Sequence, residues 1–173
     1  MYRWTAIVFV LLLIGCSSSS TLPTNEIHAA GKMGSAGGAL SGSFAGSFTE
    51  IPCGMNSSGV LSFGGSGKAT FIGRSSESGT MAAGGGACVT WRGSASLVSR
   101  FHPANTLTVS LTFNDNDHNP CNDPRHHQRT PASWAVSGGT GKFAHATGSG
   151  TVTLICDFSN HTYTDTWTGA IHF

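Results

Sequence analysis

Strict alternation of apolar and polar residues is the feature that most constrains the fold of this 173-residue chain. In the segment Thr106–Phe113, large aliphatic or aromatic side chains occupy every second position, with threonine or serine between them. The segments 87–98 and 162–172 alternate in the same way. A period of two is typical of a strand with one face in a core and the other in water. The sequence therefore predicts an antiparallel β-sheet.

Apolar–polar alternation along the rest of the chain predicts eight strands, and no helix is predicted beyond the N-terminal segment. The predicted strands are 41–51, 66–73, 75–83, 87–98, 105–113, 131–137, 148–158 and 162–172. Eight strands in one small domain remove their exposed edges most simply by closing on themselves. We therefore predict an all-β protein, with a single eight-stranded antiparallel up-and-down β-barrel over residues 40–173.

The charge composition limits the partners of the chain. Charged residues make up only 10% of it, and the formal net charge is +1. An ordinary soluble domain carries about 25% charged residues. A nearly neutral chain does not fit a nucleic-acid-binding protein, which neutralises phosphates with basic side chains, nor a basic membrane-surface domain. We expect no nucleic-acid partner.

The N-terminal segment is typical of an export signal. One basic residue, Arg3, precedes an apolar run over residues 5–14. Ten helical residues would span about 15 Å, half of a hydrocarbon core of about 30 Å, so the run is too short to cross a membrane. The run ends in Leu13-Ile14-Gly15-Cys16, which resembles the lipobox of bacterial lipoproteins.

That resemblance implies a signal peptide over residues 1–15 and lipidation of Cys16. Residues 16–39 would then be a lipidated cysteine and a flexible Ser/Gly-rich tether. The protein would be exported and held in the bacterial cell envelope, with the membrane as its partner through the lipid anchor. The alternative is ordinary secretion after cleavage near Ala29-Ala30, although His28 occupies a position where a small residue is preferred.

Four cysteines remain once Cys16 is set aside as the lipid carrier. They are Cys53, Cys88, Cys121 and Cys156. An even number in an oxidising compartment predicts disulfide bonds. In an up-and-down barrel all four lie at the same end, and neighbouring loops favour the pairs Cys53–Cys88 and Cys121–Cys156, although four cysteines allow three pairings.

Two glycine-rich stretches resemble those of the allene oxide cyclase/dirigent-like β-barrel group, especially its small secreted bacterial proteins of unassigned function. The stretches are Ser137–Gly150, which contains Gly-Gly-Thr-Gly-Lys-Phe-Ala, and Ser66–Arg74. Phe71 departs from the pattern, because the family usually has histidine there. The resemblance implies the barrel fold. It lies in structural turns, in which glycine permits a positive φ and Phe143 folds back under the barrel, so the plant enzymes' activity is not implied.

The polar connection 114–130 offers one candidate site. Asp115, Asp117 and His118 are oxygen and nitrogen ligands that could hold a metal ion. However, Pro120 replaces the glycine that a calcium loop needs, and His126 replaces its closing glutamate. A solvated loop held by Cys121 is the alternative. We expect no cofactor.

The inward faces of the strands offer the other candidate site. Trp91, Trp134, Tyr163, Asp165 and Trp167 all fall on predicted inner faces. A carboxylate inside a barrel is costly unless it is hydrogen-bonded or its pKa moves. These residues therefore describe either a ligand pocket, with Asp165 as the sole candidate catalytic group, or a packed core. The sequence shows no nucleophile elbow, phosphate loop or paired-carboxylate motif.

Three functions are compatible with these features. The first is a non-enzymatic, disulfide-stapled envelope lipoprotein that binds a protein or a small hydrophobic molecule, or serves as a surface module. The second is a cyclase- or isomerase-like enzyme with a cavity around Asp165. The third is a protein inhibitor that acts through the loop 114–130. A cavity above about 300 Å³ that reaches Asp165 would favour the enzyme.

Overall fold

The structure is a computed structural model that describes residues 37–51, 58–83, 90–114 and 129–173. Its strands are β1 Gly37–Ile51, β2 Gly59–Ala69, β3 Gly73–Ala83, β4 Thr90–Ser99, β5 Thr106–Asn114, β6 Arg129–Gly139, β7 Thr147–Asp157 and β8 Thr162–His172. A short 3-10 helix, Gly141–Phe143, precedes β7. In the part of the chain that these ranges cover, no helix is long and apolar enough to cross a membrane.

Each strand pairs antiparallel with the next one in the sequence, and β8 pairs with β1 to close the barrel. The closing pair runs from Gly37 opposite His172 to Ser47 opposite Thr162. The predicted eight-stranded antiparallel barrel is therefore confirmed. Closure satisfies the backbone groups that an open sheet would leave exposed at its edges.

The predicted strand 66–73 is wrong in its position. β2 spans Gly59–Ala69 and the chain turns over residues 70–72, so the connection from β1 is much shorter than the predicted 52–65. Gly65 and Gly67 occupy inward positions of β2, so the sequence lacks the large apolar residues there that would have indicated the inner face. At Gly67 a Cβ would lie 2.0 Å from the carbonyl oxygen of Ser43, so the close approach of β1 excludes any side chain there.

The alternating side chains form one core inside the barrel, as the period of two predicts. Leu107, Val109, Leu111 and Phe113 of β5 are at most 3% exposed. The largest fully buried side chains are Trp91, Trp134, Trp167, Phe44, Phe113 and Phe143. This interior is where the predicted pocket residues lie.

The two ends of the barrel differ. The turn end carries the tight turns β2–β3 and β4–β5, the 3-10 helix and the residues Gly37 and His172. The loop end carries the connections β1–β2, β3–β4, β5–β6 and β7–β8. Cys156, on β7, lies near the loop end; it is buried and forms no disulfide with another described residue. Cys53, Cys88 and Cys121 lie outside the described residues, so the disulfide pairs stay a prediction.

The turn end is packed with aromatic side chains. Phe143 is completely buried, and Gly141 has a φ of +58°, as predicted from the glycine-rich stretch. The rings of Phe71 and Phe143 both contact Phe173, with centroids 5.4 and 5.6 Å away. The Lys142 ammonium donates to the carbonyl oxygen of Phe71, whose own φ is +65°. These contacts tie the β6–β7 connection to the β2–β3 turn.

Candidate functional site

Two acidic side chains of the described residues lie inside the barrel. Asp165 of β8 is 3% exposed, between Tyr163 and Trp167, as expected from the alternation of the strand. Glu77 of β3 is 2% exposed. The absence of a paired-carboxylate motif in the sequence was therefore misleading, because the fold brings together two acids that are distant in sequence.

Glu77 was missed because its strand has little apolar contrast. In β3 the inward positions are Ser75, Glu77, Gly79, Met81 and Ala83. Only Met81 among them is a large apolar residue. The signal that could have found Glu77 is its even spacing from Met81, which places both side chains on the same face.

Hydrogen bonds hold the acids from several strands. The Tyr163 hydroxyl donates to Oε2 of Glu77 at 3.0 Å, which links β8 to β3 through the interior. The backbone N–H of Phe44, on β1, donates to Oδ1 of Asp165 at 3.1 Å. The Ser43 hydroxyl donates to the carbonyl oxygen of Asp165 at 3.0 Å. The pair is thus built into the ladder that closes the barrel.

The interior favours the protonated form of both acids. The pKa of Glu77 rises from 4.5 to about 9, first because burial disfavours the charge, then through the charge of Asp165 and their hydrogen bond. Burial also raises the pKa of Asp165 to about 6, while the nearby Glu77 carboxyl, the Trp167 indole and the Phe44 N–H act in the opposite direction. Burial and the charge of Glu77 raise the pKa of Tyr163 well above its ordinary value.

At neutral pH burial therefore favours a form of the pair that holds one proton and one negative charge. No described group donates a hydrogen bond to Oε1 of Glu77, and a proton on that oxygen can be donated to the Asp165 carboxylate. The indole N–H of Trp167 lowers the pKa of both acids, but it lies outside hydrogen-bond geometry to every acceptor in the described ranges. The pair is an acid donating to a carboxylate, which costs less in a dry interior than two charges.

The space beside the pair is very small. Glu77, Asp165 and Trp167 line a cavity of about 10 Å³ together with apolar side chains from the neighbouring strands. This is about the room of one water molecule, and far below the roughly 300 Å³ of a small ligand pocket. Within the described residues, the carboxyl pair has no room for a substrate.

The five predicted pocket residues are all buried, but they do not form one pocket. Asp165 and Trp167 line the small cavity, and Tyr163 bonds to Glu77. Trp134 stacks at an angle on Trp167, with ring centroids 5.9 Å apart, and its indole N–H donates to the carbonyl oxygen of Thr168 at 3.1 Å. Trp91 is fully buried, and its indole N–H has no hydrogen-bond partner among the described residues. Trp91 and Trp134 are core residues.

The remaining predicted site residues lie outside the described residues. These are Cys16 and the candidate metal ligands Asp115, Asp117 and His118. Among residues 37–51, 58–83, 90–114 and 129–173, no cluster of three histidine, cysteine or acidic side chains could hold a metal ion.

Comparison with protein families, with curated proteins and with solved structures found no match for this chain.

Proposed function

We propose that this protein is an exported envelope lipoprotein, anchored through lipidated Cys16, whose barrel is a non-enzymatic binding module. The N-terminal apolar run and Leu13-Ile14-Gly15-Cys16 support the anchor. The even set of four further cysteines supports an oxidising compartment, in which disulfides at the loop end would staple the connections. In this proposal the rigid barrel displays an outer surface to a partner.

The filled interior is the observation that carries the non-enzymatic role. Within the described residues, a cavity of about 10 Å³ beside Asp165 leaves no room for a substrate. The two carboxyl groups accept hydrogen bonds from the Tyr163 hydroxyl and the Phe44 N–H, and they interact with each other. These contacts support a structural role for the pair, so binding is assigned to the outside of the barrel.

The resemblance to the allene oxide cyclase/dirigent-like group agrees with this role. The closed eight-stranded barrel is the fold that the resemblance implies. The matching stretches supply the turn at Gly141–Phe143 and the turn around Phe71, and neither contributes a side chain to the carboxyl pair. What the two stretches share with the group is therefore architecture.

The anchor is tested by Cys16→Ser. We expect the wild-type protein to remain in the membrane fraction after a high-salt wash, because several acyl chains hold it independently of charge. The variant should be depleted from the washed membranes by about tenfold or more. Mass spectrometry of the wild-type protein should find an acylated N-terminal cysteine and no residues 1–15.

Ser17→Ala is the matched control, because it changes a neighbouring residue and leaves the lipobox intact. It should fractionate as the wild type does. An intact N-terminus on the wild-type protein, or equal membrane retention of Cys16→Ser, would contradict the anchor.

A further inference from the structure

Three cations stand in a row across adjacent strands near the turn end. Lys68 of β2 is directly opposite Arg74 of β3. Arg100 follows β4, and its backbone N–H donates to the carbonyl oxygen of Arg74 at 2.8 Å. All three side chains are exposed on the outer face. We call Lys68, Arg74 and Arg100 the basic row.

The basic row places like charges side by side, and no acidic side chain of the described ranges lies beside it. Side chains directly opposite on neighbouring strands lie about 5 Å apart at Cβ, and like charges there repel. The four acidic side chains of the described ranges lie elsewhere. Glu77 and Asp165 are inside the barrel, while Glu50 and Asp157 are at the loop end. Three like charges kept together, with no acid beside them among the described residues, are typical of a site for an external anion.

A groove runs beside the row on the outer surface. The groove has a volume of about 740 Å³, and the basic row and Pro103 line it. Ser66 of β2 and Ser76 of β3, which are paired across the two strands, also line it. Three cations with hydroxyl donors beside them suit the oxygens of a phosphate group. The volume is several times that of an inorganic phosphate and accommodates a larger group.

Exposed aromatic side chains accompany the charges. Phe101 follows Arg100 directly and is 69% exposed, and Phe71 in the β2–β3 turn is 38% exposed. Among the described residues, Ile51 at the loop end is the only other exposed large apolar side chain. Aromatic rings beside basic residues are the combination that contacts the boundary between lipid headgroups and acyl chains.

The chain also joins the barrel at this end. β1 begins at Gly37, opposite His172 and beyond the last β2 residue, Ala69. A tether anchored in a membrane would therefore reach the barrel at the end that carries the basic row and Phe101. Charge, exposed aromatic surface and connectivity point to the same partner.

We propose that the turn end binds the surface of an anionic phospholipid membrane. The basic row binds headgroup phosphates in the groove, and Phe101 inserts at the headgroup boundary. The proposal rests on the proposed lipid anchor for bringing the membrane close, but its binding residues are independent of Cys16. The near-zero net charge was misleading on this point, because it conceals the concentration of basic side chains at one end.

The test measures co-flotation of the full chain with vesicles. Cys16→Ser is used as the background, so the result does not depend on lipidation. One set of vesicles is phosphatidylcholine, and the other contains phosphatidylglycerol as well. We expect preference for the anionic vesicles, reduced about a hundredfold when the three residues of the basic row become glutamine, at roughly fivefold for each charge. Phe101→Ser should weaken binding about tenfold.

Arg100→Gln and Arg92→Gln form a matched pair. Both arginines are exposed, but Arg92 is near the loop end, opposite Ala82 and Thr112. We expect Arg100→Gln to lose about fivefold and Arg92→Gln less than twofold. Equal losses would show that net charge alone is responsible, which contradicts the proposal.

Two other results would also overturn it. One is equal binding of both vesicle types by the background protein. The other is a melting temperature raised by glycerol phosphate without any preference for anionic vesicles, which would assign the groove to a small phosphate ester. The lipid anchor is tested separately, by acylation at Cys16. Failure of the anchor therefore does not decide whether the turn end binds membranes, and failure of membrane binding does not decide the anchor.

Discussion

Raising the pH from about 5 to about 9 is expected to lower the free energy of unfolding by several kcal/mol. The cause is Glu77, whose pKa is raised from 4.5 to about 9 in the folded protein. Across that interval the folded protein keeps a proton that the unfolded chain has released. Stability therefore falls as the pH rises, by up to about 1.4 kcal/mol per pH unit for each such proton.

Asp165 adds to the slope at the acidic end of the same interval. Its pKa is raised from 3.8 to about 6, so between these values the folded protein holds a second extra proton. The contribution of both groups is fully present below about pH 4, and Asp165's is lost first as the pH rises. The decline should be steepest between about pH 5 and 6 and should continue to about pH 9.

Glu77→Gln isolates the effect, because glutamine has the shape of the protonated acid. Its amide N–H₂ can donate to Asp165 while its oxygen accepts from Tyr163. We expect the variant to be more stable than the wild type by several kcal/mol near pH 9, and to differ little near pH 5. Urea denaturation at a series of pH values measures this. Parallel curves for the two proteins would contradict a buried proton on Glu77.

Replacing Trp167 by alanine is expected to lower the free energy of unfolding by about 3–5 kcal/mol. Trp167 is 1% exposed, packs against Trp134 and lines the small cavity next to Asp165. Its removal would enlarge that cavity in a barrel whose closed ladder limits collapse. Urea denaturation at a pH near 5, where both acids are protonated in large part, measures the loss without the charge effect.

Thr166→Ala is the matched control for that variant. Thr166 precedes Trp167 on β8, but its side chain is exposed on the outer face. The expected loss is below about 1 kcal/mol. A loss for Trp167→Ala as small as that of the control would mean that the interior is loosely filled, as in a ligand-binding barrel.

The alternation of apolar and polar residues was sufficient to predict the barrel. Thr106–Phe113 and the segment 162–172 have strong contrast between their faces, and the structure places both strands and their inner faces as expected. The segment 59–69 lacks this contrast between its two faces. Its inner face includes Gly65 and Gly67, because the backbone of β1 approaches too closely there for a side chain. Without side chains at these positions, the apolar–polar alternation cannot be recognised in the sequence.

The two sites differ in how far the sequence could reveal them. Asp165 stands between Tyr163 and Trp167, so its own strand shows that it faces inward. Glu77 and the basic row depend on which strands are neighbours and in what register, and a misplaced β2 hid the pairing of Lys68 with Arg74. Contacts across strands are properties of the fold and are not visible in any single segment.

The dry environment of the carboxyl pair is tested most directly by carbon-13 NMR titration of the side-chain carboxyl groups of Glu77 and Asp165. A dry, packed interior predicts that the pair keeps one proton through neutral pH, with one carboxyl titration raised to about 6 and the other to about 9. Ionisation of Glu77 near its ordinary pKa of 4.5 would show that water reaches the pair. That result would contradict the structural role of the carboxyl pair and would favour a ligand site inside the barrel.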